Sequence, residues 1–237
     1  MSSLAPSTSG RIRIDGCEIA FQEGQTVLQA ALQAGLNIPH LCYRPELGAI
    51  GSCRLCLVQC GERKYSACTL PAADGQELAS AALRPLRANL VKMLLEQGRH
   101  ACLSCERTGD CRLQEAAVEL GIPAVTPAPQ QHFPPRDDSH PEVALDRERC
   151  ILCGICVQAS RTLDGKNLFA FGGSGTQASL TVNSASGWLS DSGIAAADHA
   201  VRLCPVGALI PKQHRAETSF GAASFDLFDV SDWKGSN

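Results

Sequence analysis

The sequence predicts an α+β protein, and three of its features predict that class. Near the N-terminus, short runs in which apolar and polar residues alternate predict strands. Between residues 26 and 121, longer stretches with apolar residues at helical spacing predict helices. The chain of 237 residues also contains 13 cysteines, 21 glycines and 13 prolines but few aromatic residues. This composition is typical of short loops that wrap around something other than side chains.

The first predicted domain covers residues 11–83. Residues 1–10 are Ser-rich and are interpreted as a disordered lead-in. Two alternating runs then flank Asp15-Gly16, a pair that favours a two-residue β-hairpin turn. The stretch TVLQAALQAG has helical spacing and predicts a helix that ends near Gly35. A second hairpin is predicted from LVQC through GERK to YSACTL, and the order hairpin, helix, strand indicates a β-grasp domain.

Two further helices are predicted within a second segment, residues 84–121. RPLRANLVKMLLEQG has Pro85 in its first turn, leucines on one face and Gly98 as its stop. DCRLQEAAVELG predicts a shorter helix that ends at Gly121. The two helices bracket the cysteine motif HACLSCERTGDC.

Composition divides the rest of the chain into three parts. Residues 122–141 are proline-rich and polar, which predicts an extended linker. A third domain, residues 142–215, opens with LDRERCILCGIC and closes around CPVGALIPK. Residues 216–237 carry three phenylalanines and Trp233 without an evident core, so they form a tail that either folds back or docks on a partner.

Charge and targeting signals narrow the function classes. A net charge of −3 gives no general attraction to nucleic acid. No apolar stretch is long enough to span a bilayer, and the N-terminus lacks the pattern of a signal peptide. These features predict a cytoplasmic protein without membrane insertion. Because cytosolic thiols are kept reduced, clustered cysteines there bind metal or do redox work more often than they form disulfides.

The first cysteine group, called the N-terminal group below, has the spacing C-x10-C-x2-C-x11-C. Its members are Cys42, Cys53, Cys56 and Cys68. Four thiolates on one loop and a nearby strand suit a [2Fe-2S] cluster, and the glycines of LGAIGSCRLC would let amide groups approach its sulfurs. A zinc ribbon would need two C-x2-4-C pairs, and only one is present.

The last group, called the C-terminal group, comprises Cys150, Cys153, Cys156 and Cys204. A two-cluster bacterial ferredoxin has two C-x2-C-x2-C-x3-C-P runs that exchange their fourth ligands. Here Ser160 replaces the fourth cysteine of the first run, and the second run survives only as Cys204-Pro205. The sequence therefore predicts a ferredoxin-like domain that retains a single [4Fe-4S] cluster.

The middle group, Cys102, Cys105 and Cys111, is one ligand short of a cluster site. His100 stands just past the end of a predicted helix, and a neutral imidazole can bind iron. Two other cysteines are left over, Cys17 and Cys60, and each is also expected to pack as a small apolar side chain. The residues alone leave the choice of the fourth ligand open.

Three cysteine groups in this order resemble the N-terminal part of the complex I large iron-sulfur subunit and of the [FeFe] hydrogenases, over roughly residues 11–215. CERTGDCRLQ is similar to the family segment that binds a histidine-ligated [4Fe-4S] cluster. That resemblance implies His100 as fourth ligand of the middle group. In the commoner family pattern three residues separate the histidine from the first cysteine, whereas only Ala101 separates them here.

Length favours one branch of this family, because the chain ends soon after the third domain and has no flavin or nicotinamide fingerprint. It resembles the small diaphorase (gamma) subunits of cytoplasmic NAD-reducing [NiFe] hydrogenases. The resemblance implies an electron-transfer subunit of an oxidoreductase complex that couples H2 oxidation to NAD+ reduction. Implied partners are a flavin-containing NADH-oxidising subunit and the hydrogenase small and large subunits. Implied cofactors are one [2Fe-2S] and two [4Fe-4S] clusters, with FMN, NAD and the NiFe centre confined to the partners.

Other functions stay open at this point. The electron-transfer subunit of an NAD-dependent formate dehydrogenase is built from similar modules. A different class would be a zinc- or cluster-stabilised scaffold, or an iron-sulfur redox sensor, although neither a basic helix nor a nucleic-acid motif supports a sensor. No residue of the chain is predicted to act as an acid-base catalyst.

Overall fold

The computed structural model describes residues 9–100, 102, 105–122 and 135–212. The predicted lead-in up to residue 8, the linker residues 123–134 and the predicted tail lie outside the described residues. The chain divides into two compact units, Met1–Met93 with Cys153–Ile155, and Leu94–Leu152 with Cys156–Asn237. The described elements include both helices and strands, so the predicted α+β class is confirmed. Among the described residues, no helix is long and apolar enough to cross a bilayer.

A three-stranded sheet organises the first unit. Strands β1 (Gly10–Ile14) and β2 (Cys17–Phe21) form the predicted antiparallel hairpin. Its turn residues Asp15 and Gly16 have φ values of 50° and 82°, as a type I′ turn requires. Strand β5 (Glu77–Leu78) pairs in parallel with β1, which is therefore the central strand.

Helix α1 (Val27–Gln33) follows the hairpin and has a defined signal at each end. Thr26 and Gln29 form a capping box, in which each side chain accepts from the other residue's amide. At the other end Gly35 has a φ of 77°, and the amides of Gly35 and Leu36 donate back into the last turn. This is the Schellman arrangement, so the predicted stop at Gly35 is confirmed.

The second hairpin joins β3 (Leu57–Cys60) to β4 (Arg63–Ser66). Its turn contains only Gly61 and Glu62, which is shorter than the predicted GERK turn. Arg63 and the next residue belong to the strand because they pair with the end of β3.

One apolar core holds the first unit together. It joins the sheet, the buried face of α1 and two cysteines of the N-terminal group, Cys56 and Cys68, each 1% exposed. Its main aliphatic and aromatic members are Ile12, Ile14, Ile19, Phe21, Val27 and Leu28. Two of the four candidate ligands of this group are therefore part of the core.

Helix α2 (Arg84–Gln97) begins with Pro85 in its first turn and ends just before Gly98, as predicted. Leu86, Leu90 and Leu94 share one face at four-residue spacing, as predicted. The most buried positions of the helix are on the neighbouring face, at Arg87, Val91 and Leu95, whereas Leu86 is 37% exposed. An arginine thus occupies one of the most buried positions of the helix.

Helix α3 (Arg112–Glu119) is the second helix predicted beside the middle group. It buries Leu113 and Ala116 and is followed by Gly121, whose φ is 71°. The amide of Gly121 donates to the carbonyl of Val118, so the predicted stop is confirmed.

The remaining strands and helices described in the second unit are short. In chain order these elements are β6 (Val143–Leu145), α4 (Ile155–Thr162), β7 (Phe169–Gly172), β8 (Ser179–Val182), α5 (His199–Arg202) and β9 (Leu209–Pro211). Strand β6 pairs with β9 and β7 pairs with β8, and both pairs are antiparallel.

Asp137 anchors the chain ahead of β6, although the linker prediction included it. Its side chain is fully buried and accepts hydrogen bonds from Ser139 and from the amide of Leu189 at 2.8 Å. Its backbone pairs with Leu145 in both directions, at 2.8 and 2.9 Å. Residue 137, inside the predicted linker, is therefore fixed by tertiary contacts.

Candidate metal centres

The N-terminal group lies on loops at one end of the first unit. Cys42 follows α1, Cys53 and Cys56 precede β3, and Cys68 follows β4. The thiol of Cys42 accepts hydrogen bonds from the thiols of Cys53 and Cys68, and the thiol of Cys56 accepts one from Cys68. The structure thus brings all four predicted ligands of this group into mutual contact.

The loop around Cys53 is shaped to turn amides towards these sulfurs. Arg54 has a φ of 57°, which is uncommon for a residue other than glycine. Amides of Ser52 and Cys53 donate to the Cys42 sulfur, the latter at 3.4 Å, and the amide of Leu55 donates to Cys53. Amide donors stabilise thiolate charge, which is what cluster binding requires.

Thiol contacts also set the protonation of the N-terminal group. The hydrogen bond from Cys53, together with that from Cys68, lowers the pKa of the Cys42 thiol to about 2. The bond from Cys68 lowers the pKa of Cys56. The hydrogen bonds to Cys42 raise the pKa of Cys53 and of Cys68, and burial acts in the same direction. Cys53 and Cys68 therefore hold their protons more tightly than Cys42 and Cys56, and bound metal would displace the remaining protons.

Arg87 fixes the backbone of the same loop from behind. Its side chain donates to the carbonyls of Leu55 and Leu57, which flank Cys56, and to the carbonyl and hydroxyl of Ser80. Arg87 is 3% exposed, so these hydrogen bonds are made in the interior. This buried guanidinium therefore fixes the loop backbone on both sides of Cys56.

In the C-terminal group, Cys153, Cys156 and Cys204 are 7–8% exposed. Cys150 and Cys204 lie within electrostatic range of each other in the second unit, while Cys153 falls in the first unit. Burial raises the pKa of Cys150 to about 11, against the effect of an amide hydrogen bond from Leu152. Leu152 has a φ of 51°, so this C-x2-C loop also contains a non-glycine residue in the left-handed region.

Ser160, at the position of the lost fourth cysteine, has a structural role. It is fully buried, and its hydroxyl accepts a hydrogen bond of 2.8 Å from the amide of Leu168. Its carbonyl accepts from the amides of Lys166 and Asn167. The side chain thus anchors the approach to β7.

His100, the candidate fourth ligand of the middle group, has a buried ring nitrogen without a hydrogen-bond partner among the described residues. Burial lowers the pKa of the imidazole, which favours the neutral ring, and one ring nitrogen bonds to the backbone of Leu94. Nε2 is buried and has no hydrogen-bond partner among the described residues. A neutral imidazole with an unused buried nitrogen fits an iron ligand, because native structures rarely leave such an atom unpaired.

The three cysteines of the middle group lie close enough to interact with one another. Cys102 and Cys105 interact electrostatically, as do both with Cys111, and burial raises the pKa of Cys111 to about 11. The amide of Arg107 donates to the Cys105 sulfur at 3.4 Å. The carbonyl of Cys102 accepts from the hydroxyl of Thr108. Residues 101, 103 and 104 lie outside the described part of the chain.

The side chains of the three cysteine groups fit iron-sulfur clusters better than they fit single metal ions. Within the described residues, no three His, Cys, Asp or Glu side chains are gathered around one metal-ion position. Cluster thiolates bind separate iron atoms and so stand farther apart than the ligands of one ion. Buried thiols with amide donors, and the unpaired Nε2 of His100, are consistent with such groups.

Family models match three parts of the chain. A model described as a 2Fe-2S iron-sulfur cluster binding domain matches residues 8–82. The NADH-ubiquinone oxidoreductase-G iron-sulfur binding region matches residues 87–125, and a 4Fe-4S single cluster domain matches residues 143–210. The chain therefore contains a 2Fe-2S domain and 4Fe-4S domains.

Similarity to one curated protein extends over almost the whole chain. The gamma subunit of the NAD-reducing hydrogenase HoxS of Cupriavidus necator is 30% identical over 231 residues, which cover 93% of this chain and 94% of that protein. This chain belongs to the gamma-subunit family of NAD-reducing hydrogenases. A solved structure described as NAD+-reducing [NiFe]-hydrogenase in the H2-reduced state contains a chain 44% identical to it, with a TM-score of 0.84. The match covers 92% of this gamma-subunit chain and 93% of the solved one.

The gamma-subunit family shares its modules with a larger protein. The NADH-ubiquinone oxidoreductase 75 kDa subunit of Reclinomonas americana is 28% identical over 94% of this chain, but the match covers only 33% of that protein. The predicted resemblance is confirmed, and so is the prediction of an iron-sulfur electron-transfer subunit of an oxidoreductase complex. None of these relatives supports the formate dehydrogenase alternative.

Cys17 and Cys60, the two cysteines of this gamma-subunit homologue outside the three groups, differ in their exposure to solvent. Cys60 is partly buried against the core of the first unit, as predicted. Cys17 is exposed, so the prediction that it packs as a small apolar side chain is wrong. It sits next to the Asp15-Gly16 turn, where side chains of the hairpin alternate between core and solvent.

Sequence reasoning missed three polar residues that tertiary contacts hold in place. These are Arg87, Arg107 and Asp137, all of which the structure holds in largely buried positions. The available signal was an arginine in the apolar stripe of a helix, at residue 87. The other two are adjacent to cysteine or proline-rich segments and give no pattern of their own.

Proposed function

We propose that this chain relays single electrons between a flavin-containing NAD(H)-reactive subunit and the small and large subunits of a [NiFe] hydrogenase. The observation that carries the proposal is its 44% identity, over 92% of its length, to a chain of a solved NAD+-reducing [NiFe]-hydrogenase. The complex would couple H2 oxidation to NAD+ reduction in the cytoplasm, where thiols stay reduced.

The proposal assigns one cluster to each cysteine group. The N-terminal group would hold a [2Fe-2S] cluster through Cys42, Cys53, Cys56 and Cys68. The middle group would hold a [4Fe-4S] cluster through His100, Cys102, Cys105 and Cys111. The C-terminal group would hold another through Cys150, Cys153, Cys156 and Cys204. Support for a single cluster in the last domain comes from its matched family description and from the structural role of Ser160.

Clusters of this kind accept and pass electrons one at a time, whereas flavin hydride transfer and H2 cleavage each involve two electrons. The residues of this chain would hold the clusters and tune their potentials. Thiolates hold the iron, burial separates the sites from water, and amides such as that of Cys53 stabilise sulfur charge. The neutral imidazole of His100 would leave the middle site with less negative charge than an all-cysteine site. This difference would raise its potential.

The decisive experiment is iron, sulfide and zinc analysis of this chain purified anaerobically, with a scan for nickel, molybdenum and flavin that copurify with it. About ten iron atoms per chain, with matching sulfide, are expected for one [2Fe-2S] and two [4Fe-4S] clusters. Nickel and flavin in the same complex would support the hydrogenase assignment, and molybdenum without nickel would favour formate dehydrogenase. About six iron atoms would remove the middle cluster from the proposal, and zinc in place of iron would overturn electron transfer altogether.

A further inference from the structure

The segment from His100 to Cys111 contains two buried nitrogen atoms without a hydrogen-bond partner among the described residues. One is Nε2 of His100, which the proposed function assigns to iron. The other is Nε of Arg107, an N–H donor that no assigned ligand role explains. Buried donors are almost always paired in native proteins, so an unpaired one indicates a missing acceptor.

Arg107 is held in place at both ends. Its backbone amide donates to the sulfur of Cys105 at 3.4 Å, which ties it to the middle group. Its Nη2 lies 3.0 Å from Asp110 Oδ2, and the arginine side chain is only 13% exposed. Its stem lies against Gly207, where an added Cβ would stand 2.3 Å from Arg107 Cγ. Nε therefore cannot swing out to water without breaking this packing.

The ion pair between Arg107 and Asp110 does not explain why the arginine side chain is buried. Asp110 is 72% exposed, and exposed ion pairs contribute little. An arginine that served only this ion pair could keep its whole guanidinium in solvent. Instead, the Nε donor is buried two residues after Cys105 and four residues before Cys111.

We infer that Arg107 Nε donates a hydrogen bond to a sulfur atom of the middle cluster and thereby raises the reduction potential of that cluster. The inference rests on the proposed function, because it requires a cluster at the middle group. Sulfur atoms carry more negative charge in the reduced cluster, so a nearby donor with positive charge stabilises the reduced form more than the oxidised form. Arg107 is a positioning and tuning residue in this scheme and not a ligand.

The test is a redox titration of the anaerobic complex, in which electron paramagnetic resonance follows each reduced cluster. Arg107→Met keeps the apolar stem beside Gly207 but removes the donor and the charge. We expect its middle-cluster reduction equilibrium to shift at least tenfold towards the oxidised form, about 59 mV for one electron, with the other two clusters unchanged. Arg107→Lys keeps the charge without the Nε donor and should shift the potential in the same direction by less.

Arg99→Met is the matched control. Arg99 is also close in sequence to His100, but its side chain is 60% exposed, so removal of its charge should shift the potential far less. An unchanged middle-cluster potential in Arg107→Met with full iron content would overturn the inference. So would loss of the middle cluster from both Arg107 variants, because that result indicates a structural role. If the unmodified complex itself lacks a middle cluster, the proposed function fails at this site, and the inference fails with it.

Discussion

Gly98 and His100 are in such close contact that no larger residue fits at the first position. An added Cβ at Gly98 would lie 2.6 Å from His100 Nε2 and 2.4 Å from the carbonyl oxygen of Glu148. Real Cβ atoms do not approach backbone oxygen so closely, and the amide of Arg99 already donates to the same carbonyl at 3.0 Å. Gly98 therefore ends α2 and also leaves the space in which the imidazole lies.

Gly98→Ala is expected to displace His100 and reduce the iron content of the middle site. Overpacking of this kind costs about 1–3 kcal/mol of unfolding free energy. Thermal unfolding and iron analysis of the variant measure both effects. Gln97→Ala, at the exposed end of the same helix, is the control and should change neither quantity. Full iron content in Gly98→Ala would contradict the expected contact.

His100→Cys is expected to retain a cluster with an all-thiolate ligand set and a lower potential, because a negative ligand replaces a neutral one. His100→Ala should instead lose or alter the middle cluster. Redox titration and iron analysis distinguish these outcomes. If His100→Ala has an unchanged potential and full iron content, the fourth ligand is another group, such as Cys60, Cys17 or an exogenous molecule.

Cys204→Ser is expected to abolish or alter the cluster of the C-terminal group alone. Cys42→Ser should likewise affect only the [2Fe-2S] cluster, since the Cys42 thiol contacts two other thiols of its group. The exposed Cys17 supplies the control, because Cys17→Ser should leave all three reduced spectra intact. Three normal spectra in Cys204→Ser would show that its assignment as a ligand is wrong.

Arg87→Met is expected to lower the stability of the first unit by about 3 kcal/mol, because several buried acceptors lose a charged donor at once. The loop that carries Cys53 and Cys56 should loosen with it, since Arg87 holds the carbonyls of Leu55 and Leu57. Denaturant unfolding and the yield of the [2Fe-2S] cluster report the two effects. Lys92→Met, on the exposed face of the same helix, should leave both unchanged.

Ser160→Ala tests the residue at the lost cysteine position. Its hydroxyl accepts from the amide of Leu168, and an unpaired buried amide costs about 1–3 kcal/mol. We expect this loss in unfolding free energy with no change in iron content. A change in iron content would show that Ser160 takes part in cluster binding.

Local signals predicted much of the fold. The Asp15-Gly16 turn and the helix stop at Gly35 depend on backbone conformations that few residues adopt, so each could be recognised in a short window. Cysteine spacing predicted the N-terminal group, whose thiols do meet in the structure. All of these signals come from neighbours in sequence.

Buried polar residues could not be predicted in the same way. The burial of Arg87 depends on acceptors at residues 55, 57 and 80, which come from distant parts of the chain. Asp137 lies in a proline-rich segment, but its partner Leu189 is 52 residues away in sequence. A pattern within one helix or loop carries no information about such partners. The missed residues are therefore those whose role depends on tertiary contacts.

The C-x2-C loops of two cysteine groups each force a bulky residue, Arg54 in one and Leu152 in the other, into the left-handed region. Such a conformation costs about 1–2 kcal/mol per residue, and in the metal-free chain no iron-thiolate bond offsets that cost. Iron-thiolate bonds, once formed, hold the loops in this shape. Cluster insertion should therefore act as a maturation checkpoint: a newly made chain that fails to acquire iron stays less stable and is more readily degraded before it can enter a complex.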